Sequence, residues 1–301
     1  MKKANYYFTL CLVLYTTIFS FMHISEIVQI TSNVINVALN NLLPSLLPFM
    51  ILISLCLSLD ILPLISYFIQ FIFSPLFHLS PIMSSIYFIS FFCGYLTNAK
   101  VIKESYELGY INIDELQHLL AICSFCSLSF IFISLHLSYK IIFMIYISHI
   151  LPSMMMAIYY HITYQLISYK DIHIHTHMSV IDALKNSIRT SLNAFIFILG
   201  YMLVFQCIGY SLKMIVSDDF IYNMILGILE FSSGSINLLA YSHTFVYPMI
   251  SFFLSFSGLS VLMQVDNILE DIPYSFKSYF ISRVFHGISS FGICWMLQYW
   301  I

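Results

Sequence analysis

A chain of 301 residues that is 60% hydrophobic and only 8% charged, with a mean hydropathy of +0.91, is not built for water. An ordinary soluble domain carries roughly 25% charged residues, and a soluble chain of this length has too little interior to hide so much apolar surface. The composition therefore excludes a soluble globular enzyme, a disordered protein and a nucleic-acid binder, and a formal net charge of -3 offers nothing to a polyanion.

The start, Met1-Lys2-Lys3, leads into an apolar run from about Tyr6 to Met22. No small-x-small cleavage site precedes His23, so residues 1–25 read as an uncleaved signal-anchor helix. A helix that crosses lipid needs about 20 largely apolar residues, because its backbone polar groups must pair within the segment. Besides 5–22, the candidates are 42–59, 61–78, 82–98, 117–136, 141–160, 194–212, 220–241, 245–264 and 278–300. The expected fold is an all-α polytopic membrane protein of about eight to ten segments. Several segments are short or carry Pro and polar residues, so broken or re-entrant helices are expected. Val34–Leu43 and Val180–Arg189 are amphipathic and are expected to lie in the membrane interface. Ten crossings with the N-terminus inside place Lys2, Lys3, Lys100, Lys103, Lys170, Lys185, Arg189 and the polar loop 161–178 in the cytoplasm, in line with the positive-inside bias.

The 7 cysteines are odd in number and sit mostly in apolar runs, which is no disulfide framework. Cys123-x-x-Cys126 has no second pair and reads as packing.

The two amphipathic stretches align with each other. Val34 matches Val180, Ile35 matches Ile181, Asn40 matches Asn186, Ser45 matches Ser191 and Phe49 matches Phe195. Each is followed by a polar break, Gly94–Lys100 in the first half and Glu230–Ser235 in the second, and then by a Ser-rich apolar run, 123–129 and 255–260. The expected organisation is a first repeat over 26–160 and a second over 179–301, inverted because an odd number of crossings separates them. Inverted repeats broken at matching depth are the layout of secondary transporters, in which helix ends point partial charges at a substrate near the midplane.

Three runs of the second half carry a family resemblance. They are Leu229-Glu230-Phe231-Ser232-Ser233-Gly234, then Gly258-Leu259-Ser260-Val261 with Gln264-Val265, and then Tyr279-Phe280, Arg283 and His286-Gly287. They resemble the L-E-x-T/S-x-G, G-G-L-S-V-x-x-Q-V and Y-F-x-x-R-x-x-H-G motifs of the sporulation integral membrane proteins of endospore-forming Firmicutes (YlbJ type). That family belongs to the nucleoside-recognition, or Gate-domain, superfamily, and the resemblance runs from about Leu39 to Leu297. In the first half the chain keeps Gly94, Tyr95, Ala99 and Lys100 of a G-Y-P-x-G-A-K pattern, with Leu96 for Pro and Asn98 for Gly. It keeps Leu119, Leu120, Cys123, Phe130 and Ile131 of a second pattern, with Ser124-Phe125 for Asn-Asn and Ser127-Leu128 for Gly-Pro. The resemblance implies a divergent member that acts in sporulation. The implied cargo is a small organic anion, dipicolinate, moved across the outer forespore membrane. The alternative is a non-transporting scaffold or assembly protein of spore formation whose transport site has decayed, because the missing Gly and Pro are the residues that most easily break a helix.

Candidate substrate-binding residues follow from the breaks. Glu230 is ionisable within a span and is expected to face a partner or a cavity, with proton or cation coupling open to it. Ser232, Ser233 and Gly234 supply loosened backbone. Ser257, Gly258, Ser260 and Gln264 supply hydroxyl, amide and open backbone, or else close helix packing. Thr97, Asn98 and Lys100 end a span, and Lys100 is either a cation for a dianionic cargo or a snorkelling anchor. Arg283 and His286 lie one turn apart. The guanidinium fork suits a carboxylate cargo or a structural clamp to Glu230 or Asp266. His173, His175 and His177 read as a solvated loop, and His78, His136, His149, His161 and His243 as interfacial polar tips. There is no nucleotide-binding, G-x-S-x-G or H-E-x-x-H signature, so no enzyme activity, cofactor or metal is expected.

Overall fold

In a computed structural model, which describes residue 10 and residues 14–163 and 178–300, the chain is helical throughout, with no strand among the described residues. Of the signal-anchor stretch, residues 14–22 are seen as helix. Lys2, Lys3, Cys11, Lys170, Asp171 and the histidines at 173, 175 and 177 lie outside the described residues. Among the described residues five helical stretches are long and apolar enough to cross a membrane, Val246–Ile268 counted as one across its interruption at Ser257, or six if one bent pair counts as a span. The chain is thus a multi-pass helical membrane protein, with fewer full-length crossings among the described residues than the apolar runs suggest. The difference arises because several runs are broken into helices too short to span alone.

Helix α1, Ile24–Ser58, is one rod of 35 residues, about 52 Å at 1.5 Å per residue. The amphipathic stretch 34–43 is therefore not a separate interfacial helix. The helix continues through Pro44 into the following span, since adding turns to an existing helix is cheaper than nucleating another. The rod widens into a π turn at Ala38–Leu42. Pro44 follows, and its ring would press on the carbonyl four residues back, so the wider turn relieves that clash. Leu39, Phe49 and Leu52 of α1 are exposed and meet lipid.

Helices α2, Leu62–Phe77, and α3, Pro81–Ser90, meet at 92°. His78 has a left-handed φ of 48°, and Ser80 caps α3 by accepting from the Met83 amide at 3.4 Å. Pro81 at the first helical position fixes the new direction. After an extended Gly94 comes α4, Tyr95–Glu107. Helix α5, Ile113–Ile122, opens with a reciprocal capping box of Asn112 and Glu115. The run 117–136 is not one span, because residues 123–127 leave the helix before α6, Leu128–Ser134. Helix α7 is Tyr139–Thr163.

The second half opens with α8, Val180–Lys213, which absorbs the amphipathic stretch 180–189 into its first turns. Ser179 caps it by accepting from the Asp182 amide at 3.2 Å. The run 220–241 divides at Glu230 into α9, Asp219–Leu229, and α10, Phe231–Leu238. The next run divides at Ser257, with φ 75°, into α11, Val246–Phe256, and α12, Gly258–Ile268. Helix α13, Phe276–Leu297, closes the chain.

Small residues set the close crossings, as expected where lipid gives no hydrophobic drive between helices. Serines 148, 251 and 290 join α7, α11 and α13, with Oγ–Oγ separations of 2.9 Å and 2.6 Å. A Cβ on Gly234 would stand 2.1 Å from the Gly227 Cα, so α9 and α10 touch backbone to backbone there. Gly234→Ala should therefore lower thermal stability in detergent by roughly 1–3 kcal/mol. Gly200→Ala, which meets nothing within 4 Å, should leave it unchanged or raise it. A fluorescence-detected melt of both variants checks the pair.

Candidate functional site

Helices α1 and α8 frame three cavities in succession. At one end a cavity of about 80 Å³ is lined by Ser54 and Leu57 of α1, Thr190 and Ser191 of α8, and Lys100. In the middle a cavity of about 40 Å³ is lined by Leu42, Leu46 and Met50 of α1 and by Ile198 and Met202 of α8. At the other end a cavity of about 140 Å³ is lined by Asn33 and Val37 of α1 and Gln206 of α8. Residue numbers fall along α1 while they rise along α8, so the two helices run antiparallel beside the row.

The central cavity is also where the breaks meet. Gly94, Tyr95 and Thr97 open α4 there, Cys126, Ser127 and Phe130 open α6, and Glu230, Phe231 and Ser232 open α10, while Val261 and Gln264 of α12 close it. From the centre α4 proceeds into the Lys100 cavity, and α10 proceeds through Ser233 and Asn237 into the opposite one. Of the three helix N-termini that meet at the centre, those of α4 and α10 leave it in opposite directions.

Glu230 occupies one of those N-termini with its own side chain. Oε1 accepts from the Ser232 amide at 3.1 Å and from Ser232 Oγ at 2.7 Å, and Oε2 accepts from the Ser233 amide at 2.8 Å. A carboxylate here neutralises the positive end of α10 and satisfies amides that the helix itself cannot. The α4 N-terminus has no such guest, since Gly94 offers no capping side chain.

Arg283 and His286 serve the breaks and do not line the cavity. Arg283 is 0% exposed. Its Nη1 donates to the carbonyls of Ser124 at 2.8 Å and Ser255 at 3.4 Å, and its Nη2 donates to the carbonyl of Ala121. One guanidinium thus meets the negative, C-terminal ends of α5 and α11 together. Neither Glu230 nor Asp266 appears among its hydrogen-bond or ion-pair partners. Arg283 can only donate, so His286 Nδ1 accepts at 2.9 Å and His286 Nε2 carries the proton to the His149 carbonyl at 2.6 Å.

His149 is not an interfacial tip. It is fully buried and stacks on His286 with ring centroids 5.2 Å apart. Its Nε2 accepts from the Cys126 amide at 3.0 Å, and its Nδ1 lies 2.7 Å from Ser255 Oγ. Two carbonyls at the start of the 123–127 break are also filled. The Cys123 carbonyl accepts from Asn98 Nδ2 at 2.7 Å, and the Ile122 carbonyl accepts from Ser153 Oγ at 2.6 Å. The break therefore forms without Gly or Pro, because side chains from three other helices supply its partners.

Of the sequence-derived candidates, Thr97, Glu230, Ser232 and Gln264 line the central cavity, Lys100 lines the second and Ser233 the third. Lys100 Nζ donates to Ser54 Oγ at 3.1 Å and pairs with Glu104 at 3.5 Å. Burial raises the Glu104 carboxyl above its ordinary value, against the pull of Lys100. Asn98 supports the first break, Gly234 is a packing contact, and Ser260 accepts from Gln264 Nε2 at 3.0 Å. Gly258 lies against the other break of its half, since a Cβ there would be 3.0 Å from the Phe231 amide. Ser257 and Gly258 both hold left-handed φ, 75° and 74°. Sequence reasoning missed Ser127, Phe130 and the α1 and α8 lining residues. Only Ser127, as a helix-capping type before an apolar run, carried a readable signal.

Against known family models, curated proteins and solved structures, the chain shows no match.

Arg283→Met should cost about 3 kcal/mol or more by stranding buried carbonyls, and Arg283→Lys should recover little, because an ammonium cannot reach the same spread of acceptors. Thermal melts in one detergent, with Lys100→Met as a mild comparison, test this.

Proposed function

We propose that the chain is a membrane carrier for a small organic solute, with two inverted repeats working by alternating access around the central cavity. The observation that carries this reading is the meeting of two oppositely directed helix N-termini, α4 and α10, in one cavity midway along an antiparallel helix pair. The matching order of elements supports the repeat. Each half has a long helix (α1, α8), a helix that restarts after an extended residue (α4, α10), a helix broken within a Ser-rich run (α5 with α6, α11 with α12), and a closing helix (α7, α13).

The finer identity rests on the resemblance to the sporulation family. On that reading the cargo is an organic anion, dipicolinate, the membrane is the outer forespore membrane, and the protein carries no enzyme activity. Lys100 in the second cavity suits the anion, and Glu230 is the acidic group open to proton or cation coupling. The scaffold alternative is weakened by the first-half break. It stands without the family's Gly and Pro, so their loss does not imply a collapsed site.

Uptake of labelled dipicolinate into vesicles containing the purified protein tests the cargo. Flux above empty vesicles is expected, and Lys100→Met should reduce it about tenfold or more, the worth of one charge-assisted hydrogen bond. No flux, with a sporulation-family member active in parallel, rejects the assignment. Full function of both Lys100→Met and Glu230→Gln in spore formation favours the scaffold.

A further inference from the structure

The third cavity of the row, between α1, α8 and α10, differs from the other two in its wall. Its volume is about 140 Å³, about half of its wall is polar, and no ionisable side chain lines it among the described residues. Asn33, Gln206, Ser233 and Asn237 supply the polar part, and isoleucines and valines supply the rest. The hydrogen-bonding capacity of the polar four is largely unspent. Among the described residues the carboxamides of Asn33 and Gln206 and the hydroxyl of Ser233 make no hydrogen bond within the protein, and none of these groups is sealed off. Asn33 is exposed, and Gln206 and Ser233 are half-buried.

Asn237, which is exposed, is held in one orientation. Asn223 Nδ2 donates to the Asp219 carbonyl at 2.8 Å and to the Tyr241 hydroxyl at 3.2 Å. A carbonyl only accepts, so Asn223 Oδ1 is left to accept from Asn237 Nδ2 at 3.0 Å. Asn237 Oδ1 then remains as an acceptor beside the cavity. Hydrocarbon offers such groups no partner, so what answers them is what enters the cavity. A charged solute would find no counter-ion there. The aliphatic part of the wall has no ring on which a planar base or a sugar ring would stack. Carboxamides and hydroxyls donate and accept side by side, which is the complement of other hydroxyl groups. The volume holds roughly ten waters, or a solute of about ten non-hydrogen atoms.

We propose that the third cavity binds a small uncharged polyhydroxyl solute, a polyol, through Asn33, Gln206, Ser233 and Asn237. One hydroxyl of the solute donates to Asn237 Oδ1, others pair in both senses with the Asn33 and Gln206 carboxamides, and the carbon chain lies on the aliphatic part of the wall. Gln206 stands about 10 Å from the end of α8, and Asn237 lies in the last turn of α10. The solute therefore enters from the water at that end of the two helices. The site is separate from the Lys100 cavity and does not rest on the carrier reading.

Scintillation-proximity binding of labelled sorbitol to the full chain in lipid nanodiscs, against empty discs, tests the site, with unlabelled sorbitol and gluconate as competitors of like size that differ in charge. Saturable binding is expected, and sorbitol should displace the label about tenfold better than gluconate or more. Asn33→Leu and Gln206→Leu should each weaken binding about tenfold, the worth of one hydrogen bond in this setting, and Lys100→Met should leave it unchanged. No saturable binding, gluconate competing as well as sorbitol, or binding that survives both leucine variants overturns the proposal. If Gln206→Leu fails to fold, Asn33→Leu, at an exposed position, and the wild-type competition decide. Failure of the carrier reading has a different signature, an absence of flux in vesicles, which leaves sorbitol binding untouched.

Discussion

A polypeptide in hydrocarbon has no water to complete its hydrogen bonds, so a helix stops inside the membrane where side chains take over its amides and carbonyls or where it borders a cavity. The interruptions of this chain answer to that constraint. Between α5 and α6 the carbonyls of Ala121, Ile122, Cys123 and Ser124 and the amide of Cys126 are taken up by Arg283, Ser153, Asn98 and His149. Between α9 and α10 the work falls to Glu230 itself. Several of the buried polar residues thus serve helix ends.

Arg283 shows how the same chemistry links the two halves. Its acceptors lie at Ala121 and Ser124 in the first half and at Ser255 in the second. Tyr95 adds a reciprocal tie, with its hydroxyl donating to the Leu254 carbonyl. Each half's interruption is thus completed by a residue of the other.

The membrane class and the positions of the breaks were legible in the sequence. Polar residues at 94–100, 230–235 and 255–260 have no place in a lipid-facing helix unless the backbone is interrupted, and the helix ends fall at Gly94, Glu230 and Ser257. The number of full crossings was not legible, because hydropathy reports what surrounds a residue and not whether the helix continues. The run 117–136 carries serines at 124, 127 and 129 but no Gly or Pro, and its break is supported by Arg283, His149 and Asn98, all remote in sequence. The roles of Arg283 and His149 were hidden for the same reason. A buried cation without a carboxylate partner is intelligible only once main-chain carbonyls are seen to converge on it. Leu42, Leu46, Ile198 and Met202 gave no signal, since an apolar side chain facing a cavity reads the same as one facing lipid.

The serine contact between α7, α11 and α13 has a consequence of its own. Ser148, Ser251 and Ser290 meet through hydroxyls, which swivel about their own bonds and can exchange donor for acceptor. These small polar faces bring the three helices close, and Ser148 also reaches the Met144 carbonyl of its own helix, so the junction does not hang on a single arrangement of protons.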